Sequence, residues 1–224
     1  MKITALLPMK KHSERISKKN LRLFSGYPLY HMIARVLTES SYVDKIIINT
    51  DCPAIAEDAL QNFFKVVIHE RPLSLRGDMV PMNDIIGFDI SRSPSEHFLQ
   101  THSTNPLLTR ETLEQAIETY FGNLAQYDSL FSVSRLQTRL YLESGKPVNH
   151  DPAILLRTQD LPPLFEENSN IYIFSKSSFQ EAGKRRIGVR PKLFEMNKLE
   201  AIDIDEEEDF IIAEAVMQFR MHKT

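Results

Sequence analysis

The sequence predicts an α/β fold, doubly wound on a mostly parallel sheet, and two observations carry that expectation. Through the first 135 residues, short apolar runs alternate with amphipathic segments of helical period. Those intervening segments are about 10–15 residues long, the length of a crossover helix between parallel strands. A sheet connected in this way is helix-covered on both faces. Such a fold binds its ligands outside the carboxyl ends of the strands.

Strands are expected at Lys2–Leu7, Lys45–Asn49, Lys65–Ile68, His97–Gln100 and Ser129–Val133, and helices at Leu29–Glu39, Pro53–Asn62, Asn83–Ser91 and Arg110–Phe121. In the last helix Leu113, Ala116, Ile117 and Tyr120 recur at the spacing of one buried face. Thr109, with Glu111 and Thr112 behind it, suits a helix start, and Pro53 suits a first helical turn. After about residue 135 the pattern changes. Arg139–Glu143, the turn "SGKP" and Pro147–Leu156 read as a hairpin with extended segments. "QDLPPLFEEN" reads as a connector to a strand at Ile171–Phe174, followed by a short helix near Ser177–Ala182 and the basic run "KRRIGVRPK". "AIDIDEEEDFIIAEAVMQF" reads as a strand entering an acidic helix start, with Phe210, Ile211, Ala215 and Met217 facing the core. The expected organisation is a single domain over 1–224, with 136–195 as an insert or arm and 200–224 returning to the core.

With 42% hydrophobic and 25% charged residues among 224, the chain is long enough for a sizeable core. A net charge of −3 speaks against a dedicated nucleic-acid binder. No apolar stretch approaches the roughly 18 residues of a membrane span. Pro8 and Lys10 cut the first apolar run short of a signal-peptide core. Cys52 is the single cysteine, which excludes an internal disulfide and fits a reducing compartment. The seven histidines contain no H-x-H or H-x-x-x-H pair, so zinc has no support. These features predict a cytoplasmic protein without nucleic-acid or membrane partners.

Two constellations stand out. From Met9 to Arg22 the chain gathers Lys10, Lys11, Arg15, Lys18, Lys19 and Arg22 against the single acid Glu14. This loop follows the first strand and so sits at the sheet's carboxyl edge, where phosphates are commonly bound. Its cations repel one another unless an anion neutralises them; a solvated basic loop is the other reading. The nearest glycine is Gly26 and no G-K-[ST] occurs, so a phosphate cradle here rests on side chains rather than bare backbone. The second constellation is Asp203-Ile204-Asp205. On a strand the two carboxylates share one face about 7 Å apart. Magnesium, which favours one or two carboxylates plus phosphate oxygens, suits them. Alternatively Asp205 joins Glu206, Glu207 and Glu208 in favouring the positive end of the following helix.

A series of blocks in order carries a family resemblance. Pro8 to Asn20 is similar to P-A-R-x-G-S-x-G-I-P-x-K-N. Gly26-Tyr27-Pro28-Leu29 is similar to G-K-P-L, and Asn49-Thr50-Asp51 to S-T-D. "RPLSLRGD" resembles R-P-x-x-L-x-x-D, and "THSTNPLLT" resembles Q-P-T-S-P-L-R-T. "NSNIYI" resembles N-G-A-I-Y-I, and "IDIDEEEDFIIAEA" resembles D-I-D-x-x-x-D-x-x-x-A-E. The whole chain thus resembles the acylneuraminate cytidylyltransferases and the related CMP-Kdo enzymes.

The resemblance implies a nucleotide-diphospho-sugar transferase-like fold with a small dimerisation insert, and a homodimer. It implies transfer of CMP from CTP to the anomeric hydroxyl of a 2-keto sugar acid, with Mg2+ as cofactor. Lys10 then lies on the triphosphate, Ser13 and Lys19 on the phosphates, Asn20 with Arg71 near cytosine and ribose, and Pro8 joins them in binding the nucleotide. Asp203 and Asp205 match the magnesium ligands, and His102 and Asn168 lie near the acceptor. The acceptor's carboxylate needs a cation, for which Arg157, Lys184, Arg185, Arg186, Arg190 and Lys192 are candidates. The chain departs from the pattern at Lys10 (arginine in the family), His102 (glutamine), Leu108 (arginine) and Asn170 (a small residue), and neither loop glycine is present. CTP-dependent transfer to a phosphonate or polyol phosphate, and an inactive nucleotide-binding homologue, are the alternative expectations.

Overall fold

The computed structural model describes residues 1–13 and 15–222; Glu14 and residues 223–224 lie outside the described residues. The first half runs β1 (Ile3–Leu6), β2 (Leu23–Phe24), β3 (Tyr27–Pro28), α1 (Leu29–Glu39), β4 (Val43–Thr50), α2 (Pro53–Asn62), β5 (Val66–Glu70) and α3 (Met82–Ser91). The second half runs β6 (His97–Gln100), α4 (Arg110–Gly122), β7 (Ser129–Leu136), β8 (Leu164–Ser175), α5 (Lys176–Glu181), β9 (Pro191–Glu195) and α6 (Glu207–Met221). Seven strands form one sheet in the order β5-β4-β1-β6-β8-β7-β9. Its pairs are parallel except those of β8, which runs antiparallel between β6 and β7.

Alternation along the strands supplies two apolar faces. Ala5, Leu7, Ile46, Ile48, Leu99, Ile171 and Ile173 pack with residues of α1, α2 and α4. Their neighbours Leu6, Ile47, Phe98, Tyr172 and Phe174 point the other way, against Ile86 and Ile90 of α3 and Phe179 of α5. Helices therefore cover both faces, as a mostly parallel sheet requires. Local chemistry agrees: Thr109 caps α4 by accepting the Thr112 N–H, and Pro53 occupies the first turn of α2 beside the buried Cys52.

A third cluster lies at the sheet's carboxyl edge. It joins Ile16, Phe24, Leu29, Leu107, Ile204, Phe210 and Ala213. The β2–β3 turn that feeds it has both central residues at positive φ, Ser25 at 48° and Gly26 at 88°. That pair matches a two-residue hairpin turn whose twist suits its strands.

Four expectations change. Residues 202–205 form no strand, although Ile202-Asp203-Ile204-Asp205 alternates like one. Ile204 is held instead by one N–H donated to the Thr104 carbonyl and by its burial in the third cluster. On α6 the buried residues are Phe210 and Ala213, whereas Ile211 and Ala215 are exposed. Farther along, Val216 and Met217 are partly buried against the same cluster and Arg220 donates to the Leu107 carbonyl at 2.7 Å, so the helix docks along a narrow stripe rather than a broad face. The expected hairpin is present but short: Leu142 donates to Lys146 and Val148 to Leu140 around the antiparallel bridge Tyr141–Pro147, and the segment toward Leu156 does not continue it. Residues 136–195, expected as an insert, contain β8 and β9 within the central sheet; the stretch outside that sheet between β7 and β8 is 137–163.

Candidate active site

The loops at the carboxyl ends of β1 and β6 diverge where the chain changes direction in the sheet, and the cleft opens between them. It encloses about 410 Å³. Pro8, Lys10, Ser13, Lys19 and Asn20 line it from the basic loop, Arg71 from the end of β5, His102 from the end of β6, and Asp203 and Asp205 from the loop before α6. Nine of the eleven expected site residues therefore share one cavity.

Two buried isoleucines bring the opposing charges together. Ile16 in the basic loop and Ile204 between the aspartates are 4% and 0% exposed and belong to the same cluster. Burying such a side chain is worth about 1.5–3 kcal/mol. The loop after β6 stitches the two from between. Ser103 donates its hydroxyl to Asn20 Oδ1 at 2.6 Å, and Thr104 takes the Ile204 N–H at 2.8 Å. Asn20 also donates to the Lys10 carbonyl. Lys18, at φ 51°, turns the chain into a short 3-10 helix that aims Lys19 back at the aspartates.

The cations are balanced locally. Lys10 pairs with Asp78. Arg15 Nη2 lies 2.9 Å from Asp205 Oδ1, and Lys19 Nζ lies 3.6 Å from the same oxygen while donating to the Ile204 carbonyl at 2.7 Å. Burial lowers the Lys19 ammonium pKa, opposed by Asp205 and Asp203. Burial raises the Asp203 carboxyl pKa, opposed by a Thr104 hydrogen bond, and its buried Oδ1 has no hydrogen-bond partner. The acidic start of α6 is tied to the same loop: Arg22 forks Glu207 at 2.5 and 2.6 Å and stacks over Phe210.

At the other part of the cleft lie His102 and Arg186. Arg186 donates to Gln100 Oε1 at 2.6 Å, stacks on the Tyr172 ring at 3.6 Å and lies 3.7 Å from Glu167. Gln100 Nε2 lies 3.0 Å from His102 Nε2. Burial, with Arg186 and Lys19 nearby, pushes the His102 pKa down to about 3, so the ring is neutral.

Two expected residues lie elsewhere. Arg157 is exposed and pairs with Asp160. Asn168 is buried in the β7–β8 ladder, accepting from Ser132 at 2.6 Å and donating to Ser134 at 3.2 Å. Of the other candidate cations only Arg186 lines the cleft. Sequence reasoning passed over Arg15, Asp78, Ser103, Thr104 and Ser169 as site residues. All five fall in the matched blocks, so the signal that could have found them is there; what the blocks leave open is which of their residues turn toward the cleft.

Residues 4–222 match the model of the family described as Cytidylyltransferase. The chain belongs to that family. That membership is in line with the resemblance seen in the motifs. It is 29% identical to N-acylneuraminate cytidylyltransferase A of Danio rerio over 95% of its own length and 50% of that protein's. To the N-acylneuraminate cytidylyltransferase of Streptococcus agalactiae serotype V it is 26% identical, over 94% of its length and 52% of the relative's. The chain thus spans about half the length of these relatives. With the Post-translational flagellin modification protein B of Campylobacter coli it shares 25% identity over 92% of its length and 91% of the relative's. Among solved structures, a CMP:2-keto-3-deoxy-manno-octonic acid synthetase complexed with CTP superposes with a TM-score of 0.71 at 12% identity, covering 98% of this chain and 100% of that one. A 4-diphosphocytidyl-2C-methyl-D-erythritol synthase gives 0.70 at 14% identity, covering 96% and 99%. These likenesses establish a shared fold.

Proposed function

We propose that the protein transfers CMP from CTP to the anomeric hydroxyl of a 2-keto sugar acid and releases pyrophosphate. The observation that carries this reading is the cleft in which Lys10, Arg15 and Lys19 face Asp203 and Asp205. An anion of triphosphate size fits the cationic side; a cation fits the acidic side. Curated relatives named as N-acylneuraminate cytidylyltransferases support CTP and a sugar acid as the pair.

The acidic side fits a hard divalent ion, because the buried Asp203 Oδ1 lacks a partner and Asp205 stands close by. Asp203 and Asp205 would hold magnesium, which when bound offsets phosphate charge and makes a coordinated hydroxyl more acidic. The chain's own groups do the rest. Arg15 and Lys19 exchange the Asp205 carboxylate for phosphate oxygens, and Lys10 exchanges Asp78. The sugar oxygen attacks the α-phosphorus in line, a new P–O bond forms, the bond to the β-phosphate breaks with its electron pair leaving on pyrophosphate, and the hydroxyl proton passes to solvent water in the open cleft. Lys10 and Lys19 stabilise the departing pyrophosphate, so catalysis is chiefly positioning and charge neutralisation. Arg186, fixed by Gln100 and Tyr172, receives the acceptor's carboxylate. His102, neutral and with a pKa near 3, orients the acceptor by hydrogen bonding and is too weak a base to take its proton. The protein works as a cytoplasmic homodimer through residues 137–163.

A pyrophosphate-release assay with CTP and magnesium across 2-keto sugar acids and polyol phosphates tests this. Release with an acid and CTP, but not UTP, is expected. Release only with a polyol phosphate overturns the acceptor class, and release with none overturns the activity.

A further inference from the structure

Arg71 enters the cleft although it is 4% exposed, and among the described residues its guanidinium bonds to Asn49. Its Nε donates to Asn49 Oδ1 at 2.7 Å and its Nη2 to the Asn49 carbonyl at 2.9 Å. Asn49 is itself fully buried, at the end of β4. Behind it Asn49 Nδ2 donates at 2.8 Å to Asp89 Oδ1, on α3. The same oxygen lies 2.8 Å from His69 Nδ1, on β5. Asp89 is 1% exposed and is absent from the cleft lining.

An amide side chain has two ends of nearly equal shape and opposite hydrogen-bonding sense. Rotated by half a turn, Asn49 would present N–H to the N–H of Arg71, donor against donor. Asp89 accepts only, so it selects the orientation in which Asn49 offers oxygen to the arginine. Burial lowers the Arg71 pKa, and the charges of Asp51 first and Asp89 second oppose it. We infer that Asp89 is a positioning residue which, through Asn49, fixes the Arg71 guanidinium for the cytidine end of CTP. This rests on the proposed use of CTP and on the role of Arg71 in holding it.

The test is the kinetics and CTP binding of the full chain. Asp89→Asn keeps the volume and removes the charge and the selection. It raises the KM for CTP about tenfold, the order expected for disrupting one charged hydrogen bond, with kcat within about twofold and the acceptor KM unchanged. On an Arg71→Ala background the same change adds nothing. The exchanged pair Asn49→Asp with Asp89→Asn keeps the bonds from Arg71 through residue 49 to residue 89 with donor and acceptor reversed between the two residues, leaves His69 Nδ1 to accept from the new amide rather than donate, and restores the CTP KM to near the parent value. It also serves as the folded comparison should Asp89→Asn alone unfold. An unchanged CTP KM in folded Asp89→Asn, an undiminished effect on the Arg71→Ala background, or failure of the exchanged pair to restore it overturns the inference. If the parent protein binds no CTP by calorimetry, the functional reading itself falls, and the inference falls with it.

Discussion

Lys10, Arg15 and Lys19 each have a carboxylate partner, and the partners are few: Asp78 for the first, Asp205 for the other two. Asp205 therefore sits between two cations, and turning its carboxylate away would free both for phosphate. Lys19→Ala removes the most enclosed of the three. It is expected to cost about 2–4 kcal/mol of transition-state stabilisation, roughly 10²–10³ in kcat/KM; near-normal turnover would remove Lys19 from the mechanism. His102 makes a separate prediction about stability. Its pKa is about 3 folded against an ordinary 6.5, because burial disfavours the charged ring. Between these values the unfolded chain binds the proton and the folded one does not. The contribution is constant above pH 6.5 and falls as the pH drops toward 3, by at most about 1.4 kcal/mol per pH unit. His102→Gln removes that component. Denaturant midpoints measured from pH 7 to pH 4 should fall more steeply for the parent than for the variant. Parallel curves would show that the folded protein protonates His102 freely.

Elements place these residues, and how legible each was follows from where its determinants lie. Leu29–Glu39 and Pro53–Asn62 match their observed bounds, because periodicity and a first-turn proline are local signals. Ile202 to Asp205 misled for the same reason: alternation is local, whereas a strand also needs a neighbour to pair with, and here Thr104 alone offers a backbone bond. Arg186 could not be told from the cations around it, since an antiparallel β8 between two other strands decides which of them reaches the cleft. A glycine controls that last placement. Gly188 leads into β9, and a Cβ there would lie 2.1 Å from Asp128 Oδ1. Asp128 Oδ2 takes the N–H groups of Val189 and Arg190 at 2.9 and 3.0 Å, so its carboxylate cannot swing aside without releasing the segment. Gly188→Ala should destabilise the fold by about 1–3 kcal/mol. It should also raise the acceptor KM more than the CTP KM, because Arg186 lies two residues upstream. Equal effects on both substrates would separate Gly188 from Arg186.

For the whole molecule, the question is what covers residues 137–163. This stretch lies outside the central sheet and leaves Tyr141, Leu142, Val148, Ile154 and Leu155 exposed, Leu155 at 88%. So many apolar side chains on one excursion exceed the scatter of single exposed residues found on ordinary surfaces. The β7–β8 ladder that carries it is continuous with the cleft, since Ser169 on β8 lines the cavity. A second copy seated on this excursion would therefore lie near the acceptor end of the site. The proposed homodimer predicts a single species of about twice 25.9 kDa in sedimentation velocity. Replacing Ile154 and Leu155 together by glutamate puts two charges at the contact, and the expected product is a folded monomer. Both positions are exposed, so the change costs the protomer little stability. Since Lys10, Lys19 and Arg71 all come from the body of the protomer, the monomer should keep its CTP affinity. Its acceptor KM should rise, because one wall near Arg186 and Ser169 is lost. A parent protein that sediments as a monomer at assay concentration removes the dimer from the scheme. A dissociated variant with both substrate constants unchanged confines the contact to assembly and makes each cleft complete within its own chain.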